Sequence, residues 1–190
     1  MLSTKNLRLK YPNGEHKIFD GLNLTIHDKE KVLLLGPSGA GKSTLLNVLS
    51  GIVPELIELP MKYDELHIDE HCGMIFQDPD TQFCMPKVKE ELGFILENRQ
   101  VPRSEMDQAI QRALDSVGLN VDPDQYVNQL SGGMKQKLAI AETLLQQAET
   151  LFLDEPTAML DTEATAELWS KIKDFWEDQT VVIVEHKVEH

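Results

Sequence analysis

A glycine-rich segment between a strand-like and a helix-like stretch constrains this chain more than any other feature. It follows the aliphatic run 31–35, precedes the helical stretch 42–50, and consists of Gly36, Pro37, Ser38, Gly39, Ala40, Gly41, Lys42, Ser43 and Thr44. The segment fits G-x-x-x-x-G-K-[ST], a loop whose backbone N–H groups surround phosphate at a helix N-terminus. The sequence therefore predicts an α/β chain that binds a nucleoside triphosphate.

The side chains of this segment have separate predicted roles. Lys42 can reach the β- and γ-phosphates, and the Ser43 hydroxyl can ligate Mg²⁺. The alternative is a glycine-rich turn that binds nothing. The strand before the segment and the helix after it favour the phosphate site.

A second candidate site is the aliphatic strand 151–153, which ends in two adjacent carboxylates, Asp154 and Glu155. Strand alternation sends neighbouring side chains in different directions. We predict that Asp154 holds Mg²⁺ and that Glu155 is the base that polarises the attacking water. By itself, a strand ending in Asp-Glu is more typical of a solvated turn, but the phosphate-binding segment in the same chain favours a hydrolase.

A third element offers a second anion site. Ser131, Gly132 and Gly133 supply a hydroxyl and backbone N–H groups at the start of a predicted helix, 132–147. One triphosphate does not need two such sites in one subunit. The alternative is an ordinary helix N-cap followed by a flexible turn.

The remaining pattern predicts the fold. Polar and apolar residues alternate over 6–11 and around 22–26, which favours antiparallel β-structure near the N-terminus. Aliphatic runs at 31–35, 151–153 and 180–184 alternate with helices, and the first of these runs is suited to burial on both faces. This alternation indicates a mainly parallel sheet with crossover helices. Together with the phosphate-binding segment, it predicts a P-loop NTPase core.

Helical spacing also predicts a lobe inserted into that core. The chain of 190 residues has the length of one domain. We predict a single domain, 1–190, in which 1–77 and 135–190 form the catalytic core with its β-region and 78–134 form an inserted α-helical subdomain.

Charge and composition limit the partners and the compartment. The 18 Lys and Arg against 32 Asp and Glu give a net charge of −14, which repels nucleic acid. The longest aliphatic runs, 32–35 and 181–184, are far shorter than the ~20 apolar residues of a membrane span. Two cysteines form no disulfide framework, and no apolar signal region opens the sequence, so we expect a cytoplasmic protein.

Taken in this order, the motifs resemble the nucleotide-binding domain of ABC transporters over nearly the whole chain. The resemblance implies an ATPase that uses ATP and Mg²⁺ and works as a head-to-tail homo- or heterodimer. Each ATP would then lie between the loop around Lys42 of one chain and Ser131 and Gly133 of the other. The second anion site is thereby explained.

The resemblance also implies roles for four isolated residues. Gln77 resembles the glutamine that senses Mg²⁺ and the attacking water, and His186 resembles the histidine that contacts the γ-phosphate. Asp161 resembles the aspartate of a loop that crosses the dimer interface, and Tyr11 resembles the aromatic residue on which adenine stacks. The alternatives are, in the same order, a solvated loop residue, a surface histidine, the N-cap of the next helix and an ordinary strand aromatic.

The segment 76–83, Phe-Gln-Asp-Pro-Asp-Thr-Gln-Phe, is similar to the glutamine loop of the energy-coupling-factor branch, whose members import vitamins, cobalt or nickel. This resemblance implies a transmembrane partner that docks near Gln77, Asp78 and Asp80, and a peripheral location on the inner face of the cell membrane. Met134 and Glu142 depart from the family pattern, which often has Gln and Arg at these places.

Two alternatives remain. The first is a soluble ABC-type ATPase that acts on DNA or ribosomes and is not attached to a transporter. The stretch from Lys42 to Ser131, which are 89 positions apart, contains no coiled-coil heptads, the chain has a single such domain, and its charge is negative, all of which disfavour this alternative. The second is a partner that binds ATP without hydrolysing it, which the presence of Asp154 and Glu155 disfavours.

Overall fold

The computed structural model describes residues 1–12, 14, 16–69 and 71–185. Its contacts divide the chain into two compact units. The sheet unit contains Met1–Met74, Glu149–Asp154 and the described residues 178–185, and the helical unit contains Ile75–Ala148 and Glu155–Glu177. Within the described ranges, no helix is long and apolar enough to cross a membrane.

The N-terminal part of the sheet unit is antiparallel, as predicted. Its strand order is β2-β1-β4 with β5 also paired to β1, and the strands are β1 (Leu2–Lys10), β2 (Lys17–Ile26), β4 (Met61–Lys62) and β5 (Glu65–His67). Leu7 and Leu9 are buried while Arg8 between them is exposed, which is the alternation of a half-buried strand.

A parallel sheet forms the second part of the sheet unit. Its order is β3-β8-β7-β6, and the strands are β3 (Lys31–Leu35), β6 (Cys72–Ile75), β7 (Thr150–Asp154) and β8 (Thr180–Glu185). All five residues of β7 are buried. The expected α/β arrangement of a mainly parallel sheet beside an antiparallel region is therefore present.

The expectation that strand 31–35 is buried on both faces is wrong. Strand β3 lies at the edge of the sheet and pairs only with β8 within the described chain. Val32 and Leu34 pack against the core, whereas Leu33 and Leu35 are 54% and 50% exposed. A continuous aliphatic run cannot distinguish an edge strand from a central one, because both satisfy the same local pattern.

The phosphate-binding segment leads into helix α1 (Lys42–Leu49), which is followed by the short helix α2 (Ile52–Glu55). Helix α1 buries Leu45, Leu46, Val48 and Leu49. These side chains join a hydrophobic core with residues of β1, β2, β7 and β8, including Phe152 and Val182. The start of α1 is therefore held firmly by the sheet unit.

The helical unit contains four α-helices and three short 3₁₀ turns. The helices are α3 (Val88–Asn98), α4 (Arg103–Ser116), α5 (Gly132–Gln146) and α6 (Thr162–Ile172), and the turns are Pro79–Thr81, Val127–Gln129 and Lys173–Trp176. Helix α5 packs against α3, α4 and the first turn. Two rings at the end of the unit, Trp169 and Trp176, lie 5.6 Å apart.

The predicted division of the chain, with a helical subdomain over 78–134, stays a prediction. In the structure, all of α5 and the segment 155–177 cluster with the helical unit. Helix α5 carries buried residues along most of its length, including Leu138, Ile140 and Leu145. Those side chains give α5 its contacts with α3 and α4.

Candidate nucleotide-binding site

The phosphate loop connects β3 to α1 and depends on a glycine at its end. Gly41 has φ +85°, and a Cβ there would lie 2.6 Å from Ile18 Cγ2 on β2. An L side chain meets both a backbone penalty and a steric clash at such a position. The loop therefore follows a path close to β2 that a larger residue cannot take.

Lys42 and the start of α1 are arranged to receive an anion. Lys42 Nζ donates to the carbonyl oxygens of Gly36 and Pro37, at 2.6 Å and 2.8 Å, so its ammonium lies against the loop. In the described part of the chain, no side chain caps the N-terminus of α1. The first N–H groups of a helix need an acceptor, and a phosphate supplies one.

Asp154 lies at the same edge of the parallel sheet as the phosphate loop. In the register of the sheet, Asp154 on β7 and Leu34 on β3 both pair with Val184 on β8. With adjacent strands about 4.8 Å apart, Asp154 is about 10 Å from the strand that leads into the loop. The carboxyl ends of parallel strands are where α/β sheets bind ligands.

The carboxylate of Asp154 also fits a metal ion. Asp154 is 6% exposed, and its Oδ1 atom is buried with no hydrogen-bond partner among the described residues. A buried carboxylate oxygen without a partner is costly, and a hard cation such as Mg²⁺ removes that cost. Ser43, the other predicted ligand on the sheet unit, is exposed at the first turn of α1.

Tyr11 is tied to the phosphate loop by its hydroxyl group. Tyr11 Oη and Thr44 Oγ1 are 2.7 Å apart, and the Tyr11 side chain is 44% exposed. This bond connects the end of β1 to the first turn of α1. Stacking of adenine on the Tyr11 ring stays a prediction.

Gln77 and Glu155 meet in the helical unit, although they are 78 positions apart in sequence. Gln77 Nε2 donates to Glu155 Oε2 at 3.2 Å. Glu155 is 8% exposed and has φ +49°, a conformation that residues other than glycine adopt at an energetic cost. Such strain concentrates at functional sites.

Gln136 is a positioning residue that the sequence patterns did not identify. It is 1% exposed on α5, and its amide donates to the carbonyl oxygen of Glu155 at 3.2 Å and accepts from the Met159 N–H at 2.8 Å. It therefore fixes the backbone on both sides of the segment 155–159. The available signal was a glutamine on the apolar face of an amphipathic helix, because a buried polar side chain needs partners.

Ser131, Gly133 and Asp161 line one hollow of about 510 Å³ in the helical unit. Ser131 caps α5 by accepting from the Met134 N–H at 3.3 Å, and Asp161 caps α6 by accepting from the Ala164 N–H at 2.8 Å. A Cβ on Gly133 would lie 3.2 Å from Leu160 Cδ2, so this turn packs closely. Both residues thus fill the structural roles that sequence analysis gave as alternatives, and both remain beside one surface.

Gly132 and His186 complete the set of predicted site residues. Gly132 is the first residue of α5 and is exposed. His186, predicted to contact the γ-phosphate, lies outside the described residues. The predicted site residues therefore fall into a sheet-unit group around Lys42 and Asp154 and a helical-unit group around Glu155 and Ser131.

The fold and these groups define a P-loop nucleotide-binding protein. A family model described as "ABC transporter" matches residues 19–158, which is more than half of the chain. The chain belongs to the ABC transporter ATP-binding family. The predicted family and the predicted α/β fold class are thereby confirmed.

Known relatives agree with this assignment. The chain is 35% identical, over its whole length, to the putative HMP/thiamine import ATP-binding protein YkoD of Bacillus subtilis, and it spans 37% of that protein. It is 36% identical, again over its whole length, to the energy-coupling factor transporter ATP-binding protein EcfA of Methanocaldococcus jannaschii and spans 71% of it. The predicted similarity to the energy-coupling-factor branch is confirmed.

A solved structure of an ATP-binding cassette, described as a dimer in a post-hydrolysis state bound to ADP and Pi, has the same fold. It superimposes with a TM-score of 0.78 and is 27% identical in sequence. The superposition covers 98% of this chain and 88% of that one.

Proposed function

We propose that this chain binds ATP with Mg²⁺ and hydrolyses it to power import through a partner membrane protein, with a vitamin or a transition-metal ion as the transported substrate. The contact between Gln77 and Glu155 carries this proposal. Gln77 resembles the family glutamine, and Glu155 directly follows Asp154, the predicted Mg²⁺ ligand. The similarity to EcfA and YkoD supports the import role.

The residues of the site would divide the work as follows. The loop N–H groups and Lys42 bind the phosphates, and Ser43, Asp154 and Gln77 are the oxygen ligands available to Mg²⁺. Bound Mg²⁺ neutralises charge on the phosphate oxygens. Glu155 accepts a proton from the attacking water, and the amide of Gln77 orients the carboxylate that does so.

The surface around Ser131 would serve a second chain. Ser131, Gly132 and Gly133 offer a hydroxyl and N–H groups that no phosphate in the same chain requires. Asp161 lines the same hollow as Ser131. We therefore propose a head-to-tail pair of ATPase chains, with His186 completing the γ-phosphate contacts.

A membrane subunit would dock near Gln77, Asp78 and Asp80. Asp78 caps the turn Pro79–Thr81 through the Asp80 N–H, and both aspartates are exposed. Exposed carboxylates of this kind pair well with arginine, which binds them through two hydrogen bonds. The chain would then sit on the cytoplasmic face of the cell membrane.

Hydrolysis is tested with the variant Glu155→Gln and the matched control Glu163→Gln, an exposed glutamate on α6. We expect Glu155→Gln to retain ATP binding and to hydrolyse ATP about 100-fold more slowly or worse, because it has lost the base. The control should keep the original rate. A Glu155→Gln variant that hydrolyses ATP at the original rate would show that the proposed base is wrong.

Attachment to a transporter is tested by fractionating cells that produce the tagged chain. We expect the chain to sediment with membranes and to elute from detergent extracts with a membrane protein of several spans. The variant Asp78→Lys reverses a charge on the proposed docking surface and should weaken that co-elution. Recovery of the original chain only in the soluble fraction, without a membrane protein, would favour the ATPase that is not attached to a transporter.

A further inference from the structure

Two buried glutamates face each other in the helical unit, away from the predicted site residues. Glu91 on α3 and Glu142 on α5 are 5% and 2% exposed. Burial above all, and then the charge of Glu91 and a hydrogen bond between the two carboxyls, raise the pKa of Glu142 to about 9, against the lowering effect of its hydrogen bond to Gln82. Glu142 is therefore neutral at ordinary pH.

The two carboxyl groups differ in their hydrogen-bond partners. Glu91 Oε2 accepts backbone N–H bonds from Cys84, at 3.0 Å, and from Met85, at 2.6 Å, so this oxygen already has two donors. Glu142 Oε1 is buried, and no donor faces it among the described residues. A proton on Glu142 that points to Glu91 supplies the missing hydrogen bond.

The charged groups on neighbouring elements are engaged elsewhere or exposed. Lys135 on α5 pairs with Asp80 of the first 3₁₀ turn, and Arg99 at the end of α3 donates to Leu145 O and to the Gln147 side chain. The other charged residues of α3 and α4 are exposed: Lys89, Glu90, Glu97, Arg103, Glu105, Asp107, Arg112 and Asp115. No cation in the described ranges forms an ion pair with Glu91 or Glu142.

A line of hydrogen bonds runs from Glu142 to the residues proposed for hydrolysis. Glu142 Oε2 accepts from Gln82 Nε2 at 2.5 Å, and Gln82 Oε1 accepts from the Phe76 N–H at 3.4 Å. Phe76 directly precedes Gln77, whose amide donates to Glu155. The side chain of Gln82 thus connects the Glu142 carboxyl to the backbone that carries Gln77.

We propose that Glu142 is a positioning residue for ATP hydrolysis: its protonated carboxyl donates to Glu91 and accepts from Gln82, and Gln82 holds the backbone that presents Gln77 to Glu155. This inference rests on the proposed roles of Gln77 and Glu155. Loss of the proton would leave two adjacent buried carboxylates, which repel each other. If Glu91 and Glu142 move apart, Gln82 is released and kcat falls, with little effect on the binding of ATP.

The test compares kcat and KM for ATP between pH 7 and 10 in the original chain, Glu142→Gln and Glu142→Ala. A glutamine can donate to Glu91 and accept from Gln82 but cannot ionise. We expect kcat of the original chain to fall as pH rises through about 9 and kcat of Glu142→Gln to lack that fall. Glu142→Ala should lower kcat about tenfold at every pH with little change in KM, as misplaced groups do.

Two further variants keep the test decisive if Glu142→Ala does not fold. Gln82→Ala breaks the same line of hydrogen bonds at a half-buried position and should lower kcat as Glu142→Ala does. Glu97→Gln changes an exposed glutamate on α3 and should behave like the original chain. The inference is overturned if Glu142→Gln keeps the same alkaline fall in kcat, or if Gln82→Ala keeps full kcat.

Glu155→Gln separates this inference from the proposed function. If Glu155→Gln abolishes hydrolysis while the Glu142 and Gln82 variants match the original chain, the positioning role is wrong and the proposed base is right. If Glu155→Gln remains fully active, the proposed hydrolytic site itself is wrong.

Discussion

Glu142 keeps its proton in the folded chain at pH values where it loses that proton in the unfolded chain. Its pKa rises from an ordinary 4.5 to about 9, first because of burial and then because of Glu91. Between these values the folded chain binds one more proton than the unfolded chain, so the free energy of unfolding falls as pH rises. Below 4.5 and above about 9 this contribution no longer changes with pH.

The substitution Glu142→Gln should remove that slope. For one proton, the expected difference in slope is about 1.4 kcal/mol for each pH unit between pH 6 and 8. Urea unfolding of both proteins at pH 6, 7 and 8 measures it. Parallel dependences on pH in the two proteins would mean that Glu142 is ionised in the folded chain.

Gly41 leads to a second prediction at the scale of single residues. Gly41→Ala places a Cβ at φ +85° and 2.6 Å from Ile18 Cγ2. We expect the free energy of unfolding to fall by about 1–3 kcal/mol and ATP affinity to weaken, because the loop must move.

Gly36→Ala is the matched control for stability. A Cβ there makes only ordinary contacts, at 3.7 Å to Lys42 Cδ and 3.8 Å to Ala40 Cβ. Urea unfolding compares the two variants. Equal stability losses at Gly36 and Gly41 would contradict the proposed strain.

Functional residues can be predicted from the sequence only where they lie close together along the chain. The segment 36–44 is contiguous, so its spacing alone specified the phosphate loop, and the structure places it between β3 and α1. Gln136 and Glu142 act through partners that are distant in sequence. Their roles depend on which face of α5 is buried and on which side chains pack against it. A single polar residue in an apolar pattern does not give that information.

At the scale of elements, α3 contains a glycine without a structural reason. A Cβ on Gly93 would meet no heavy atom within 4 Å apart from the backbone of its own helix, and Gly93 does not have a positive φ. Glycine inside a helix costs stability because the unfolded backbone has more freedom to lose. We expect Gly93→Ala to raise the free energy of unfolding by about 0.5–1 kcal/mol, measured by urea unfolding.

Gly118 provides the opposite case. It has φ +67° after the end of α4, and a Cβ there would lie 3.0 Å from Lys171 Nζ. Gly118→Ala should therefore lower the free energy of unfolding in the same experiment. If both alanine variants change stability in the same direction, the explanation by backbone conformation is wrong.

Sequence patterns located most elements but not their surroundings or their last turns. The apolar spacing over 162–176 predicts one continuous helix, whereas the structure has an α-helix to Ile172 and a 3₁₀ turn over Lys173–Trp176, because that spacing is nearly the same for both. Strand 31–35 was found correctly, but its edge position was not. Position in a sheet is decided by pairing with β8, which lies about 150 residues later in the chain.

At the scale of the whole molecule, the predicted groups for phosphate binding lie on two units. The sheet unit carries Lys42 and Asp154, and the helical unit carries Ser131 with the neighbouring glycines. The motif order alone could not say how two anion sites serve one nucleotide. The resemblance to a family that works in pairs supplied that step, and the paired arrangement is therefore open to direct measurement.

A shared site predicts that ATP causes association. In Glu155→Gln, slow hydrolysis should preserve ATP at the interface, so light scattering with Mg-ATP should give twice the mass of 21.5 kDa, and without nucleotide a single chain. Ser131 is exposed, so adding Ser131→Arg should block the phosphate contact from the second chain without unfolding the first. ATP binding to the phosphate loop should survive in that double variant, as a fluorescent ATP analogue can show.

The outcomes of this experiment distinguish a homodimer from a heterodimer. A dimer that forms with ATP and disappears with Ser131→Arg would establish that two copies of this chain share the site. A chain that binds ATP but stays single would contradict the homodimer, and mixing it with a related ATPase chain would then test the heterodimer. A dimer that forms equally without ATP would contradict the head-to-tail arrangement, because an interface that contains the nucleotide gains affinity from it.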